Sequence, residues 1–96
     1  MLNIISGSKK RAKLYVPTIN VRPTSSKKRE AIFSIIESIS LKNNNDIYSN
    51  EYFLDLFAGS GSLGLEAISR GAKYCYFCEI AKEVIETLER NCKKIC

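Results

Sequence analysis

Histidine is absent from this 96-residue chain, so no catalytic scheme that relies on an imidazole base operates within it. Proline is scarce. Pro17 and Pro23 bracket an extended connector, because the residue before a proline is pushed out of the helical region. No apolar run is long enough to cross a membrane, and none reads as a signal peptide. A cytoplasmic location without a membrane partner is therefore expected. Acid is scarce at one end of the chain. Residues 1 to 30 hold Lys9, Lys10, Arg11, Lys13, Arg22, Lys27, Lys28 and Arg29 against the single acid Glu30, a balance of +7. The remainder holds seven basic and nine acidic residues, −2, which leaves the chain at +5. Such an arm reads as an electrostatic footprint for a polyanion. Only Tyr15 lies among these charges, so base stacking by the arm is not expected.

The most informative segment is Asp55-Leu-Phe-Ala-Gly59-Ser-Gly61-Ser-Leu-Gly64-Leu-Glu-Ala67. The apolar run Tyr52 to Phe57 stops at a glycine-rich turn, and a helical pattern begins at once. A nucleotide-type cofactor needs this strand–turn–helix context. Glycines let bare backbone approach the ligand, and the helix start offers free N–H groups. A second apolar run, Tyr74 to Cys78, reads as the next parallel strand and ends at Glu79. An acid about 20 positions past the glycines, at a strand's carboxyl end, is placed to bind ribose hydroxyls. Its carboxylate accepts two hydrogen bonds, and the vicinal hydroxyls supply two donors.

Asp55 separates two cofactor classes. A dinucleotide would set its pyrophosphate on the helix N-terminus, where a nearby carboxylate repels it. S-adenosylmethionine carries no phosphate, and its sulfonium and amino group are cationic. The residues therefore favour S-adenosylmethionine over a nicotinamide cofactor.

Elsewhere the layout is coarse. Leu2 to Ser6 and Lys13 to Val16 suggest a hairpin joined by a basic turn starting at Gly7. Thr24, Ser25 or Ser26 caps the next helix, in which Ile32, Ile35, Ile36 and Ile39 recur at helical spacing and predict a buried stripe beside Phe33. The Asn-rich stretch Leu41 to Asn50 predicts a loop. The last helix carries an apolar stripe of Val84, Ile85, Leu88, Cys92 and Ile95, with little sheet to cover.

The four cysteines, Cys75-x2-Cys78 and Cys92-x3-Cys96, have spacings close to those of zinc ligands. On a strand, residues three apart point to opposite faces and lie roughly 10 Å apart. A shared zinc would require a knuckle that destroys the strand and the ribose acid together. No metal is expected, and the cysteines read as buried free thiols of a reducing compartment.

These residues resemble the bacterial 16S ribosomal RNA guanine-N2 methyltransferases of the RsmD type. The resemblance rests on Asp55-Leu-Phe-Ala-Gly-Ser-Gly-Ser-Leu-Gly-Leu-Glu-Ala-Ile-Ser-Arg-Gly-Ala72, which is similar to their first motif, and on Phe77-Cys78-Glu79. Val21-Arg22-Pro23-Thr24-Ser25, Arg29-Glu30-Ala31-Ile32-Phe33 and the opening Ile4-Ile5-Ser6-Gly7 add to it, so that it runs through the whole chain. It implies an α/β fold with two parts. Residues 1–50 would form a basic β-hairpin, connector and helix. Residues 51–96 would form the first βαβα units of a Rossmann-like class I methyltransferase sheet, incomplete at the C-terminus. The implied activity is S-adenosylmethionine-dependent methylation of the exocyclic N2 amine of a guanine in 16S rRNA, free or in the small subunit, by a monomer.

The chain departs from that family in its hairpin turn, where Arg11 stands at a position that usually holds glycine, and at Cys78, which replaces a usual valine as a small buried hydrophobe. The family's catalytic Asn/Asp-Pro-Pro-aromatic segment has no match here. We therefore expect the cofactor-binding part of a longer or truncated protein, inactive alone, with no catalytic residue of its own. Candidate cofactor contacts are Thr24, Asp55, Phe57, Ala58, Gly59, Gly61, Glu79 and Ile80. Candidate RNA contacts are Lys9, Lys10, Arg11, Lys13 and Arg22, although Arg22 sits where it could meet the cofactor instead. The competing readings are a non-catalytic RNA-binding remnant and a nicotinamide-dependent oxidoreductase fragment.

Overall fold

The structure is a computed structural model that describes residues 2–17 and 24–96. In chain order the elements are β1 (Leu2–Asn3), β2 (Lys13–Leu14), α1 (Ser26–Lys42), α2 (Ile47–Asn50), β3 (Phe53–Asp55), α3 (Ser62–Ser69), β4 (Cys75–Phe77) and α4 (Lys82–Ile95). Strands β1 and β2 pair antiparallel, with Leu2 opposite Leu14, and form the predicted hairpin with a shorter ladder than its apolar runs suggested. Strands β3 and β4 pair parallel, Leu54 opposite Tyr76, with α3 as the crossover.

The hairpin's inward residues, Leu2, Ile4 and Leu14, pack on Leu65 of α3 and Ile95 of α4. This settles what covers the last helix. Val84, Leu88 and Ile95 are buried, and Ile95 is covered by the amino-terminal hairpin together with Leu65 of α3, with Phe77 of β4 packed against the same cluster.

Helix α1 is capped by Ser25, whose hydroxyl accepts from the Lys28 N–H at 3.2 Å. Its rotation corrects the isoleucine stripe. Ile32, Ile35 and Ile39 are exposed, whereas Arg29 and Phe33, one turn apart, face inward; of the four isoleucines only Ile36 packs, half-buried, against the Phe33 cluster. The reason is an ion pair between Arg29 and Glu66 at 3.2 Å, with both side chains essentially buried. Stranding one member of such a pair costs about 3–5 kcal/mol, so once the pair is made the helix keeps Arg29 inward.

The predicted loop at 41–50 is also corrected. Helix α1 runs on to Lys42, and α2 follows, capped by Asp46, which accepts from the Tyr48 N–H. Tyr48 anchors this turn by packing its ring between Phe33 and Phe53, at centroid distances of 6.2 and 6.0 Å.

Glu66 organises the other side of α3. Its Oε1 accepts from the Ile5 N–H and from Arg29 Nη1, and its Oε2 from the Ser6 N–H and Arg70 Nε. Four donors saturate a carboxylate. One turn on, Ser69 Oγ donates to the Ser6 carbonyl and accepts from the Lys9 N–H. Gly7 lies so close to the Ser69 carbonyl that a Cβ there would overlap it. The hairpin is thus fastened to α3 by polar contacts as well as by its apolar face.

Candidate functional site

The glycine turn connects β3 to α3 at the carboxyl end of the parallel pair. Gly59 and Gly61 both take left-handed backbone, φ 56° and 91°, which side chains with a Cβ adopt only at a cost. Their surroundings differ. A Cβ on Gly61 would meet Leu88 of α4, while one on Gly59 would project into open space, so Gly59 is where backbone can meet a ligand. Ala58 is buried and ties the turn to the second strand: its N–H donates to the Cys78 carbonyl at 3.0 Å.

Glu79 lies against this turn. Its Oε1 accepts from the Gly59 N–H at 3.0 Å, and its Oε2 from the N–H groups of Ile80 and Ala81. The N–H groups of Ala81, Gly59 and Ile80 together hold its pKa below the ordinary carboxylate value. Of about four acceptor sites on a carboxylate, one stays open, so gripping two hydroxyls requires the side chain to release one of these three N–H groups.

Asp55 ends β3, half-buried, with Oδ1 accepting from the Phe57 N–H at 3.3 Å. Burial raises its pKa and the Glu79 carboxylate adds to the rise, against the backbone N–H groups of Phe57 and, more weakly, Gly64 of α3. Its Oδ2 is buried without a hydrogen-bond partner, as is Ser60 Oγ in the same turn. Unmade bonds of this kind cost about 1–3 kcal/mol each. The two carboxylates, Asp55 and Glu79, act on each other across this turn and together favour a cation there.

Phe57 and Ile80, which flank the turn, are 90 % and 98 % exposed. Thr24, Asp55 and Phe57 line one groove of about 420 Å³ together with Phe33 and Gly64. Glu79 and Ile80 fall outside that groove, on the α4 side of the turn. The structure therefore brings the candidate cofactor residues to one turn, spread over its two sides. Lys9, Lys10, Arg11 and Lys13 are all exposed on the hairpin, and Arg11 holds φ 73°, the left-handed conformation that a glycine would take freely. Arg22 lies outside the described residues.

The cysteines correct one reading. Cys78 and Cys96 are exposed, and only Cys75 and Cys92 are partly buried, all four as free thiols. Cys78 faces outward because it continues the alternation of β4, on the side of the exposed Tyr76 and opposite the half-buried Phe77. Among the described residues no group of three or more His, Cys, Asp or Glu side chains is arranged to hold a metal ion. No helix among them is long and apolar enough to cross a membrane.

Sequence reasoning missed Asn91. It is fully buried on α4, where Oδ1 accepts from the Tyr15 N–H and Nδ2 donates to the carbonyls of Tyr15 and Ser60. The signal was a polar residue inside the apolar stripe between Leu88 and Ile95. Glu66 was missed likewise, a carboxylate between Leu65 and Ala67.

A parallel strand pair, a crossover helix opened by a left-handed glycine turn and an acid folded onto that turn define an α/β unit. Its family is now clear. The family model described as Conserved hypothetical protein 95 matches residues 2–96, and the chain belongs to that family, the RsmD family of rRNA methyltransferases. Similar proteins include "Putative rRNA methyltransferase YlbH" of Bacillus subtilis, 39% identical over 95 residues, covering 98% of this chain and 47% of that protein. "Ribosomal RNA small subunit methyltransferase D" of Buchnera aphidicola is 41% identical over 93 residues, with 96% and 44% covered. Among solved structures, "Putative methyltransferase yhhF" of Escherichia coli superposes with a TM-score of 0.80 at 31% identity, covering 98% of this chain and 46% of that one. The chain spans about half the length of these relatives.

Proposed function

We propose that the full-length protein methylates the exocyclic N2 amine of a guanine in 16S rRNA with S-adenosylmethionine, and that this chain supplies the cofactor-binding part (51–96) and the basic arm (1–50). The observation that carries this reading is the left-handed Gly59, whose Cβ side faces open space, with Glu79 folded onto its N–H and Asp55 at the end of the strand that leads into the turn. The Asp55 carboxylate suits the cofactor's ammonium group, and a pyrophosphate there would face two carboxylates. Glu79 would take a ribose hydroxyl at its remaining acceptor site. Phe57 and Ile80 would cover the adenine, and the Gly59–Gly61 backbone would approach the ribose. Thr24, beside the cap of α1, would lie toward the methionine carboxylate. When bound, the cofactor supplies a methyl group on a positively charged sulfur. The chain's own residues orient that group and exclude water from it, which is where most of the rate of an amine methylation arises.

The arm's exposed cations would hold rRNA phosphate, free or in the small subunit. We further propose a cytoplasmic monomer. The test is calorimetric titration of the full-length protein with S-adenosylmethionine and with NAD, followed by transfer of labelled methyl to 16S rRNA and nucleoside analysis. Cofactor binding that Asp55→Asn weakens, with label in N2-methylguanosine, supports the reading. Affinity for NAD alone, or label in another nucleoside, overturns it. RNA binding without any cofactor affinity would leave a non-catalytic binding protein.

A further inference from the structure

Tyr15 follows the hairpin and is 41 % exposed. Two cations from the far end of the sequence converge on its ring: Arg90 Cζ lies 4.0 Å from the centroid and Lys94 Nζ 5.2 Å from it. Arg90 and Lys94 share one face of α4, four residues apart. Lys13 is exposed like Tyr15, two residues before it, with the inward Leu14 between them. Among the described residues no acid forms a salt bridge with Lys13, Arg90 or Lys94; the ion pairs there use Glu37 and Glu66. Cations gathered on one ring repel each other, and attraction to the ring offsets this only in part. An anion laid across them would relieve the repulsion.

The backbone beneath this patch is fixed. Asn91 holds both the N–H and the carbonyl of Tyr15, at 2.7 and 3.0 Å, and with the same amide bonds Ser60 in the glycine turn at 2.8 Å. The aromatic platform therefore keeps a set position relative to the candidate cofactor turn. An aromatic ring with cations around it is the pattern that holds single-stranded nucleic acid, the ring taking a base and the cations its phosphates.

We infer that Tyr15, Arg90 and Lys94, with Lys13, form a contact for a single-stranded stretch of the RNA substrate, separate from the hairpin tip. This rests on the proposal that the substrate is RNA. It also revises the expectation from sequence that the arm cannot stack a base, since the partners of Tyr15 come from α4.

The experiment measures binding of a fluorescent single-stranded oligonucleotide of 16S rRNA sequence to the full-length protein across a salt series, with S-adenosylmethionine titrated in parallel. Arg90→Gln/Lys94→Gln should reduce the slope of log K against log salt by about 1.4, two phosphate contacts at roughly 0.7 each. Tyr15→Ala should weaken binding by about fivefold to a hundredfold while Tyr15→Phe keeps it. Cofactor affinity should be unchanged throughout. If the wild type binds RNA and the double variant keeps its salt slope, the patch only latches the hairpin to α4 and the inference is overturned. If the wild type binds cofactor but no RNA, the RNA-substrate reading itself falls. Should Tyr15→Ala lose its fold, the double variant, altered only at exposed side chains, still decides.

Discussion

Replacing Glu66 by glutamine tests how the hairpin is held. The carboxylate is fully buried and accepts from two backbone N–H groups and two arginines. Glutamine keeps the shape but presents an NH2 to a site that offers only donors, and it leaves Arg29, 1 % exposed, with the Asn3 carbonyl as its remaining partner. Removing one member of a buried pair costs about 3–5 kcal/mol. A domain of this kind holds about 5–15 kcal/mol in all, so the loss is a large share. Glu37→Gln is the control: that carboxylate also pairs with Arg70 but is 47 % exposed, and such pairs contribute about 1 kcal/mol or less. Urea unfolding of the full-length protein should show the Glu66→Gln midpoint lowered by at least about 1 M with an unchanged slope. In an Arg29→Met background the same step should cost less, because no charge is stranded, giving a coupling of about 1 kcal/mol or more. A loss within about 1 kcal/mol, or an equal loss in both backgrounds, refutes the hub.

Arg11→Gly should stabilise the protein by about 1 kcal/mol, since it relieves a left-handed arginine, and should flatten the salt dependence of RNA binding by about one contact; both are read from unfolding and binding series. Gly64→Ala should destabilise by about 1–3 kcal/mol in thermal unfolding, because its Cβ would overlap the Phe77 ring and Cys75 Sγ and push α3 off β4. Burial raises the Asp55 pKa, so in the cofactor-free protein its contribution to stability is present below the unfolded value and is lost as pH rises through the folded one. Asp55→Asn should therefore unfold no earlier than wild type at neutral pH while binding S-adenosylmethionine more weakly. Wild-type affinity for the cofactor should rise through the same pH range as the carboxylate ionises, measured by calorimetry.

What was legible in the sequence is what short spacing encodes. The glycine turn, the two parallel strands, the acid that ends the second of them and the hairpin all follow from neighbours within a few residues or from one βαβ repeat, whereas the fold of Glu79 back onto the Gly59 N–H does not. The rotation of α1 was not legible. A 3.6-residue period in isoleucine marks a face that can be buried, and the face actually chosen is set by Arg29 meeting a carboxylate 37 positions away. Likewise α2 was hidden in an Asn-rich stretch, because its one strong signal, Asp46 as a cap, reads equally well as a turn residue. At the candidate site, Asp55 and Glu79 were found from their places at strand ends. Asn91 was not, because its role exists only once Tyr15, 76 positions earlier, is laid across it.

The two residues that were missed share a logic. Glu66 grips the backbone entering the hairpin turn, at Ile5 and Ser6, from the later part of α3. Asn91 grips the backbone leaving the hairpin, at Tyr15, and reaches Ser60 just ahead of α3. The hairpin is thus tied at both its ends to both ends of the helix that the glycine turn opens. Apolar packing of Leu2, Ile4 and Leu14 would bury the hairpin in several nearly equivalent positions, since hydrophobic contact is not directional. Buried hydrogen bonds are directional, and a shift that breaks one strands its partner at about 1–3 kcal/mol. They therefore select one position. On the proposed reading, in which the basic hairpin meets RNA and the glycine turn ahead of α3 meets the cofactor, the selected position would set the distance between the two. Holding that distance is the contribution that positioning alone would make to a methyl transfer.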